Sequence, residues 1–353
     1  MRKLLLGILL GAAAAMYAAQ DTQTVEGLPR HEVEVVPAAG AEPRNVILMI
    51  GDGMGQEHVW AAWLCNGGKL NITSLPYTGF SCTVSANKTV TDSAAGGTAL
   101  ACGGKTDNGM LGQAPNGRSY VSLAEALRGQ GKATGLVVTK AITDATPAAF
   151  YAHVDSRKKT TKIAEALTEA KFDVVLGGGA KAFSEEQMAK LRANGADVEF
   201  FAPEDCPPAS ERGELLTDCV NRALDKLEDA PQGFFLMIEG SRIDSAAHDN
   251  DLRETVCEVL DFDRAVGAVM AWMHKHPDTL LVVAADHQTG GLSLVDGDLE
   301  KGRVKGSFST YYHSGVSVPV YAAGVGATVF TGVMDNTQLQ HKILEVATQK
   351  QNK

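Results

Sequence analysis

The sequence has no excess of basic residues: 32 Lys and Arg stand against 42 Asp and Glu, a formal net charge of −10. Such a chain is not drawn to nucleic acid or to anionic lipid by its overall field. Local positive charge for an anionic ligand therefore has to be imported, most simply as metal ions. There is no CxxC pair, which excludes the common cysteine-based zinc sites, and no GxSxG elbow, which excludes the α/β-hydrolase type of serine nucleophile. Gly177, Gly178 and Gly179 follow an apolar run but precede no GK[ST], so they read as a tight turn and not as a phosphate cradle. Repeats, low-complexity tracts and a dividing linker are all missing. The one prominent apolar stretch at the start, Leu4 to Met16, is too short to span a membrane stably.

What is present begins with a secretory signal. Arg2 and Lys3 supply a positive start, Leu4 to Met16 an apolar segment, and Ala18 and Ala19 a small-residue exit, so residues 1–20 are expected to be removed on export to the periplasm or the exterior. A retained anchor is the alternative. Residues 21–43 are polar with Pro and Gly and no period, as in a flexible lead-in, and 44–353 are expected to form a single domain. Six cysteines in an exported chain suggest disulfides. Cys206 and Cys219, flanking a short Pro-containing polar segment, are the expected pair.

From Asn45 onward, apolar strand-like runs alternate with helical patterns. Strands are expected near 45–50, 78–86, 135–139, 173–176, 234–238, 280–285 and 318–323, with helices near 55–66, 159–170, 184–194, 212–229, 251–275 and 335–347, and one starting at Ser122. That alternation predicts an α/β fold, a large, mainly parallel sheet with helices on both faces. Ser122 and Glu125 form a capping box. Val256, Leu260, Val266, Met270 and Met273 make a core stripe, not a cofactor box.

The strand ends are where chemistry collects. Phe234 to Ile238 gives way to Glu239, and Asp244 and His248 follow one helical turn apart. Leu280 to Ala285 ends in Asp286 and His287, and Asn45 to Ile50 ends in Gly51, Asp52, Gly53. For one such pair a strand cap and a solvated helix face are an equal explanation. Core packing, however, gives no reason for a carboxylate or imidazole at three separate strand ends, which is where open α/β sheets keep their ligand sites.

Ser93, followed by Ala94, Ala95, Gly96 and Gly97, would hold its hydroxyl at a positive helix end with small residues lying close on the sheet. An ordinary N-cap serine is the competing explanation. No histidine is near it in sequence, so a nucleophilic Ser93 would need a metal to lower its pKa.

Taken together, GDGMG (51–55), VTDSAAGGTA (90–99), TDATPAAFYAHVDSRK (143–158), EGSRIDSAAH (239–248), ADHQTGG (285–291) and HSG (313–315) resemble the alkaline phosphatase family, in its order and from Asn45 to about Thr331. The resemblance implies two Zn2+ and one Mg2+ per chain. The first zinc would be held by Asp244, His248 and His313, and the second by Asp52, Asp286, His287 and the oxygen of Ser93. Magnesium would take Asp52, Thr146 and Glu239. These donors suit zinc, which accepts nitrogen and carboxylate, and magnesium, which takes oxygen. The four carboxylates and a Ser93 alkoxide carry five negative charges against six on the metals, and Arg157 adds a planar fork for phosphate.

The implied activity is hydrolysis of small phosphate monoesters of broad specificity, by in-line displacement through a phosphoserine on Ser93. Asp144 would order magnesium-bound water or Arg157, with a solvated turn residue as the alternative. Asp92 would hold Arg157 or simply cap a helix, and His153 is expected to be structural. Ser245 departs from the Lys, His or Trp common after the first zinc-ligand aspartate, so an altered phosphate contact is expected. The short stretch between His287 and His313 leaves little room for a large inserted subdomain, while a homodimer through the family's core interface stays available. A phosphodiesterase or sulfatase of the same superfamily, or a phosphate-binding protein without turnover, are the rival readings.

Overall fold

In the strand Asn45–Gly51, NVILMIG, every residue is buried, and its side chains divide by alternation. Ile47 and Met49 enter one hydrophobic cluster, Val46, Leu48 and Ile50 the other. Two clusters on two faces mean helices on both sides. One face is covered by helices that include Gln56–Cys65, Leu215–Leu227 and Leu252–Met273, and the other by Ser93–Cys102, Leu123–Gly129, Thr160–Ala170 and Thr337–Thr348.

The computed structural model describes residues 21–193 and 195–348; the expected signal segment 1–20 lies outside them. Nine strands form the main sheet, labelled here in chain order: β1 Asn45–Gly51, β2 Tyr77–Cys82, β3 Ala133–Ala141, β4 Val174–Gly178, β5 Asp197–Phe200, β6 Phe234–Gly240, β7 Thr279–Ala284, β8 Val318–Gly324 and β9 Gly332–Asp335. Their spatial order is β9-β2-β8-β7-β1-β6-β3-β4-β5. All neighbours run parallel except at β8, which is antiparallel to both β2 and β7. The expected strands are found with small shifts at their ends. The edge strands β5 and β9, four residues each, were not expected, being too short to show an apolar run.

Four helices position the site: α1 Gln56–Cys65, α2 Ser93–Cys102, α3 Arg242–His248 and α4 Leu252–Met273. In α4, Val256, Leu260, Val266, Met270 and Met273 are all buried, and full burial of each such side chain stabilises the fold by roughly 1.5–3 kcal/mol. The Ser122–Glu125 capping box forms as expected, with both hydrogen bonds made.

Between β7 and β8 lie a small hairpin, Ser293–Asp298 with Arg303–Ser307, to which Gln23–Val25 adds a third strand, and a two-residue pairing of Gln288–Thr289 with His313–Ser314. The expected lead-in 21–43 thus makes specific contacts. Gln23–Val25 pairs with Gly306 to Val304, His31 Nε2 lies 2.7 Å from Asp263 Oδ2, and the Arg30 guanidinium donates to the carbonyls of Leu299 and Glu300. The expected Cys206–Cys219 disulfide is not formed. All six cysteines are free thiols; Cys65, Cys102, Cys206 and Cys219 are buried and act as small apolar groups in the packing, while Cys82 and Cys257 are partly exposed. No helix among the described residues is long and apolar enough to cross a membrane.

Candidate active site

The carboxyl ends of the central parallel strands converge on one acidic pocket. Asp52 follows β1, Glu239 lies near the end of β6, Asp286 and His287 follow β7, and Asp144 and Thr146 follow β3. Because β8 runs the other way, His313, which precedes it, arrives at the same end. Short pairing of His313–Ser314 with Gln288–Thr289 locks it beside His287. Gly53 has φ 69°, and a Cβ there would meet the Thr289 hydroxyl at 2.5 Å, so only glycine lets Asp52 turn into the pocket.

Helix α2 delivers Ser93 at its first turn. Asp92 caps it, accepting from the Ala95 N–H at 3.0 Å. A Cβ on Gly96 would stand 2.9 Å from the Asp286 carbonyl oxygen, and one on Gly97 3.2 Å from the Thr146 backbone, so the helix start sits directly against two pocket segments. Although no histidine neighbours Ser93 in sequence, the fold puts His287 Nε2 3.1 Å from its hydroxyl oxygen.

The three histidines show how they are held. His287 Nδ1 is 3.2 Å from the Thr289 hydroxyl, which donates to Asp244 Oδ1 at 2.6 Å; the hydroxyl oxygen accepts, so Nδ1 carries the proton. His248 Nδ1 donates to the Tyr311 carbonyl at 2.6 Å, and His313 Nδ1 to the Thr91 carbonyl at 2.8 Å. Each ring is thus fixed in the tautomer that leaves Nε2 as a lone pair facing the pocket, the usual preparation of a metal-ligating histidine.

Those lone pairs face one another and face carboxylates. His248 Nε2 lies 3.1 Å from His313 Nε2, and both lie within 3.5 Å of Asp244 Oδ1. His287 Nε2 stands 3.1 Å from Asp286 Oδ2 and 3.5 Å from Asp52 Oδ1, besides Ser93. One nitrogen cannot satisfy three oxygens, and two lone pairs at this separation repel unless a cation lies between them. Two sets, Asp244 with His248 and His313, and Asp52 with Asp244 and His287, have ligand atoms mutually within 4.8 Å. Buried Asp52 Oδ1, Asp286 Oδ2, Thr146 Oγ1 and Glu239 Oε2 have no hydrogen-bond partner in the protein. The donors fit metal ions.

Electrostatics agree. Burial, reinforced by Asp286 and Asp244, pushes the Asp52 carboxyl well above its ordinary value. Burial likewise raises Glu239, with Asp144 adding to it, to about 8. Burial also opposes the charge of Asp244, but the nearby Lys140 ammonium, and hydrogen bonds from His248 and His313 when those rings carry a second proton at Nε2, hold it well below the ordinary carboxylate range.

Arg157 is aimed at the pocket rim by two acids. Its Nη2 donates to Asp144 Oδ1 at 2.8 Å, and its Nη1 lies 3.7 Å from Asp92 Oδ2. Asp92 also caps α2, and Asp144 accepts from the Ala145 N–H, so each acid holds a helix start while it faces Arg157. His153 is structural, bonded to the Gly112 carbonyl and Glu125. Sequence reasoning missed two residues. Thr289 lay inside a quoted motif without a role, and Lys140 reads as an ordinary charge at the end of an apolar strand. The Lys140 ammonium lies 3.4 Å from Asp244 Oδ2, 3.9 Å from Asp144 Oδ2 and 4.0 Å from Asp52 Oδ2.

A serine at a helix start, inward-facing imidazoles and carboxylates, and an arginine fork at the carboxyl ends of a parallel sheet define a metal-binding hydrolase class of α/β protein. The sequence profile described as alkaline phosphatase matches residues 43–199 and 198–301, and the chain belongs to that family. Alkaline phosphatase 4 of Bacillus subtilis is 38% identical over 291 residues, covering 72% of this chain and 63% of that protein. The chain thus spans just under two thirds of the length of that relative. Streptomycin-6-phosphate phosphatase of Streptomyces griseus is 33% identical, covering 85% of this chain and 89% of that one. The solved alkaline phosphatase of the Antarctic bacterium TAB5 superposes with a TM-score of 0.82 at 33% identity, covering 88% of this chain and 99% of that one.

Proposed function

We propose that the chain is an exported, metal-dependent alkaline phosphatase that hydrolyses small phosphate monoesters to alcohol and inorganic phosphate through a phosphoserine on Ser93. The observation that carries this reading is that three Nε2 lone pairs face buried carboxylate oxygens, several of them without partners, in a pocket where His287 Nε2 stands 3.1 Å from the Ser93 hydroxyl. Asp244, His248 and His313 would hold one zinc ion, and Asp52, Asp286, His287 and Ser93 a second. Asp52, Thr146 and Glu239 would hold a magnesium ion; TAB5 variants with a histidine replaced by Glu or Asp are described with magnesium in a site called M3. When bound, these ions would lower the pKa of the serine and neutralise charge on the departing oxygen.

The protein's own part is positioning. The N-terminal end of α2 and its tight seat against Asp286 and Thr146 hold the Ser93 oxygen in line with the ester bond. Arg157, oriented by Asp144 and Asp92, grips two phosphoryl oxygens with its planar fork. Ser93 loses its proton and bonds to phosphorus, the ester P–O bond breaks, and the leaving oxygen takes up a proton. Water then attacks phosphorus and gives up a proton, the Ser93–phosphorus bond breaks, and the serine oxygen regains a proton as phosphate is released. The third-ion donors Thr146 and Glu239 support a monoesterase over a diesterase, and Ser93 lacks the CxPxR-like context a sulfatase requires.

The test compares an aryl phosphate with its diester and sulfate analogues, and traps label on Ser93. Monoester preference and a phosphoserine are expected, and a diester preference would overturn the reading. Ser93→Ala should cut turnover by on the order of 10³-fold or more and abolish the trapped intermediate, while zinc content stays near that of the parent.

A further inference from the structure

Lys140 brings a positive charge into the acidic pocket from a strand end. It sits at the end of β3, where pairing with β4 is irregular between Val137 and Ala141, and it is 9% exposed. Its long stem turns inward, and the ammonium lies among Asp244, Asp144 and Asp52 at 3.4, 3.9 and 4.0 Å. Two of these, Asp52 and Asp144, border the donors assigned above to magnesium.

The ammonium does not complete that site. Thr146 Oγ1 and Glu239 Oε2, both 1% exposed as residues, remain without a hydrogen-bond partner. Oxygen donors for a hard cation are therefore in place, yet a tethered positive charge already neutralises the carboxylate they share. A divalent ion bound by Asp52, Thr146 and Glu239 must either displace Lys140 from Asp52 or endure its repulsion. The histidine-containing sets are not affected in the same way. Asp244 turns Oδ1 to His248 and His313 and only Oδ2 to Lys140, so the ligand edge toward the imidazoles stays free of the ammonium.

We infer that Lys140 is a built-in competitor for the third cation, making that ion the weakly held, exchangeable member of the set. This rests on the metal-dependent reading above. Related chains that carry a small residue at this position would, by the same logic, hold the third ion more firmly.

The test titrates MgCl2 into zinc-loaded protein, following bound magnesium by elemental analysis after rapid desalting and the melting temperature by calorimetry. Lys140→Met and Lys140→Gln, which keep the stem and remove the charge, should bind magnesium at least about tenfold more tightly than the parent, since like charges a few ångströms apart repel strongly in a partly desolvated site. Lys140→Arg should keep the weak binding. Equal or weaker magnesium binding in both neutral variants would overturn the inference, as would tight binding in Lys140→Arg. If the parent chain retains no zinc and responds to no divalent ion, the metal-dependent reading itself fails, a result separate from either outcome.

Discussion

Two clusters of buried acids in this molecule look alike in composition and differ in how their charge is met. On α4, Glu258 and Asp261 have side chains with no exposed surface, and so has Arg212 opposite them. Arg212 donates to Glu258 Oε1 and Oε2 at 2.9 and 2.6 Å and to Asp261 Oδ2 at 3.0 Å. The Ala209 N–H and the Arg264 guanidinium take further lone pairs. No side-chain oxygen of Glu258 or Asp261 lacks a partner. In the pocket at the strand ends Asp52, Glu239 and Asp286 are equally buried, but there four donor oxygens are left over. A closed ion cluster joins Arg212 to the long helix; an open one is a socket for ions that the chain does not supply.

That contrast is tested first by removing metal. A chelator should abolish activity and lower the melting temperature together, because ions that bind only the folded state add to its stability. The stripped protein should also acquire a pH dependence. Glu239 rises from 4.5 to about 8 through burial, with the Asp144 charge next, so the folded state binds more protons than the unfolded one between those values. The Glu239 contribution to the stability of the stripped protein should therefore fall as pH rises from about 4.5 and level off above about 8, opposed below about 6.5 by His58 and His287, whose burial lowers their pKa values. Calorimetry between about 6.5 and 8, above the ordinary histidine value, with and without metal, checks the sign; a stripped protein that gains stability across that interval would break the comparison.

Next in size is the closed cluster. Arg212→Met leaves Glu258 and Asp261 buried without their main partner and should cost roughly 3–5 kcal/mol in urea unfolding, with turnover per folded molecule unchanged. Loss of zinc in that variant would show that the two clusters are coupled. Smaller again is Arg157→Lys, which keeps the charge but loses the fork. It should reduce kcat/KM for an aryl phosphate by about ten- to a hundredfold, in line with the loss of one charge-assisted hydrogen bond. Metal content should not change.

The open cluster was legible in the sequence because its members stand where apolar runs stop. Asp52, Asp286 and His287 each break a strand pattern, and Asp244 and His248 keep helical spacing. Closure of the same pocket was not legible in any local pattern, and His313, Thr146 and Arg157 were expected there from the family resemblance alone. The reversal of β8, which carries His313 to the other ligands, depends on which edge of the sheet the last strand joins, and no local pattern encodes that. Lys140 escaped for a similar reason: a lysine closing an apolar strand usually extends its ammonium to solvent, and only the neighbouring strand ends turn it inward. The contacts of residues 21–43 are long-range as well, linking Gln23 to Gly306 and His31 to Asp263.

The two-residue ladder that joins Gln288 and Thr289 to Ser314 and His313 has an evolutionary implication. It pins both feet of the intervening excursion beside the imidazoles, so whatever hangs between them can lengthen, shorten or be exchanged while the ligands stay put. The mouth of the cleft is thereby uncoupled from its floor, and new substrate preferences could be tried on the rim at little risk to the chemistry beneath.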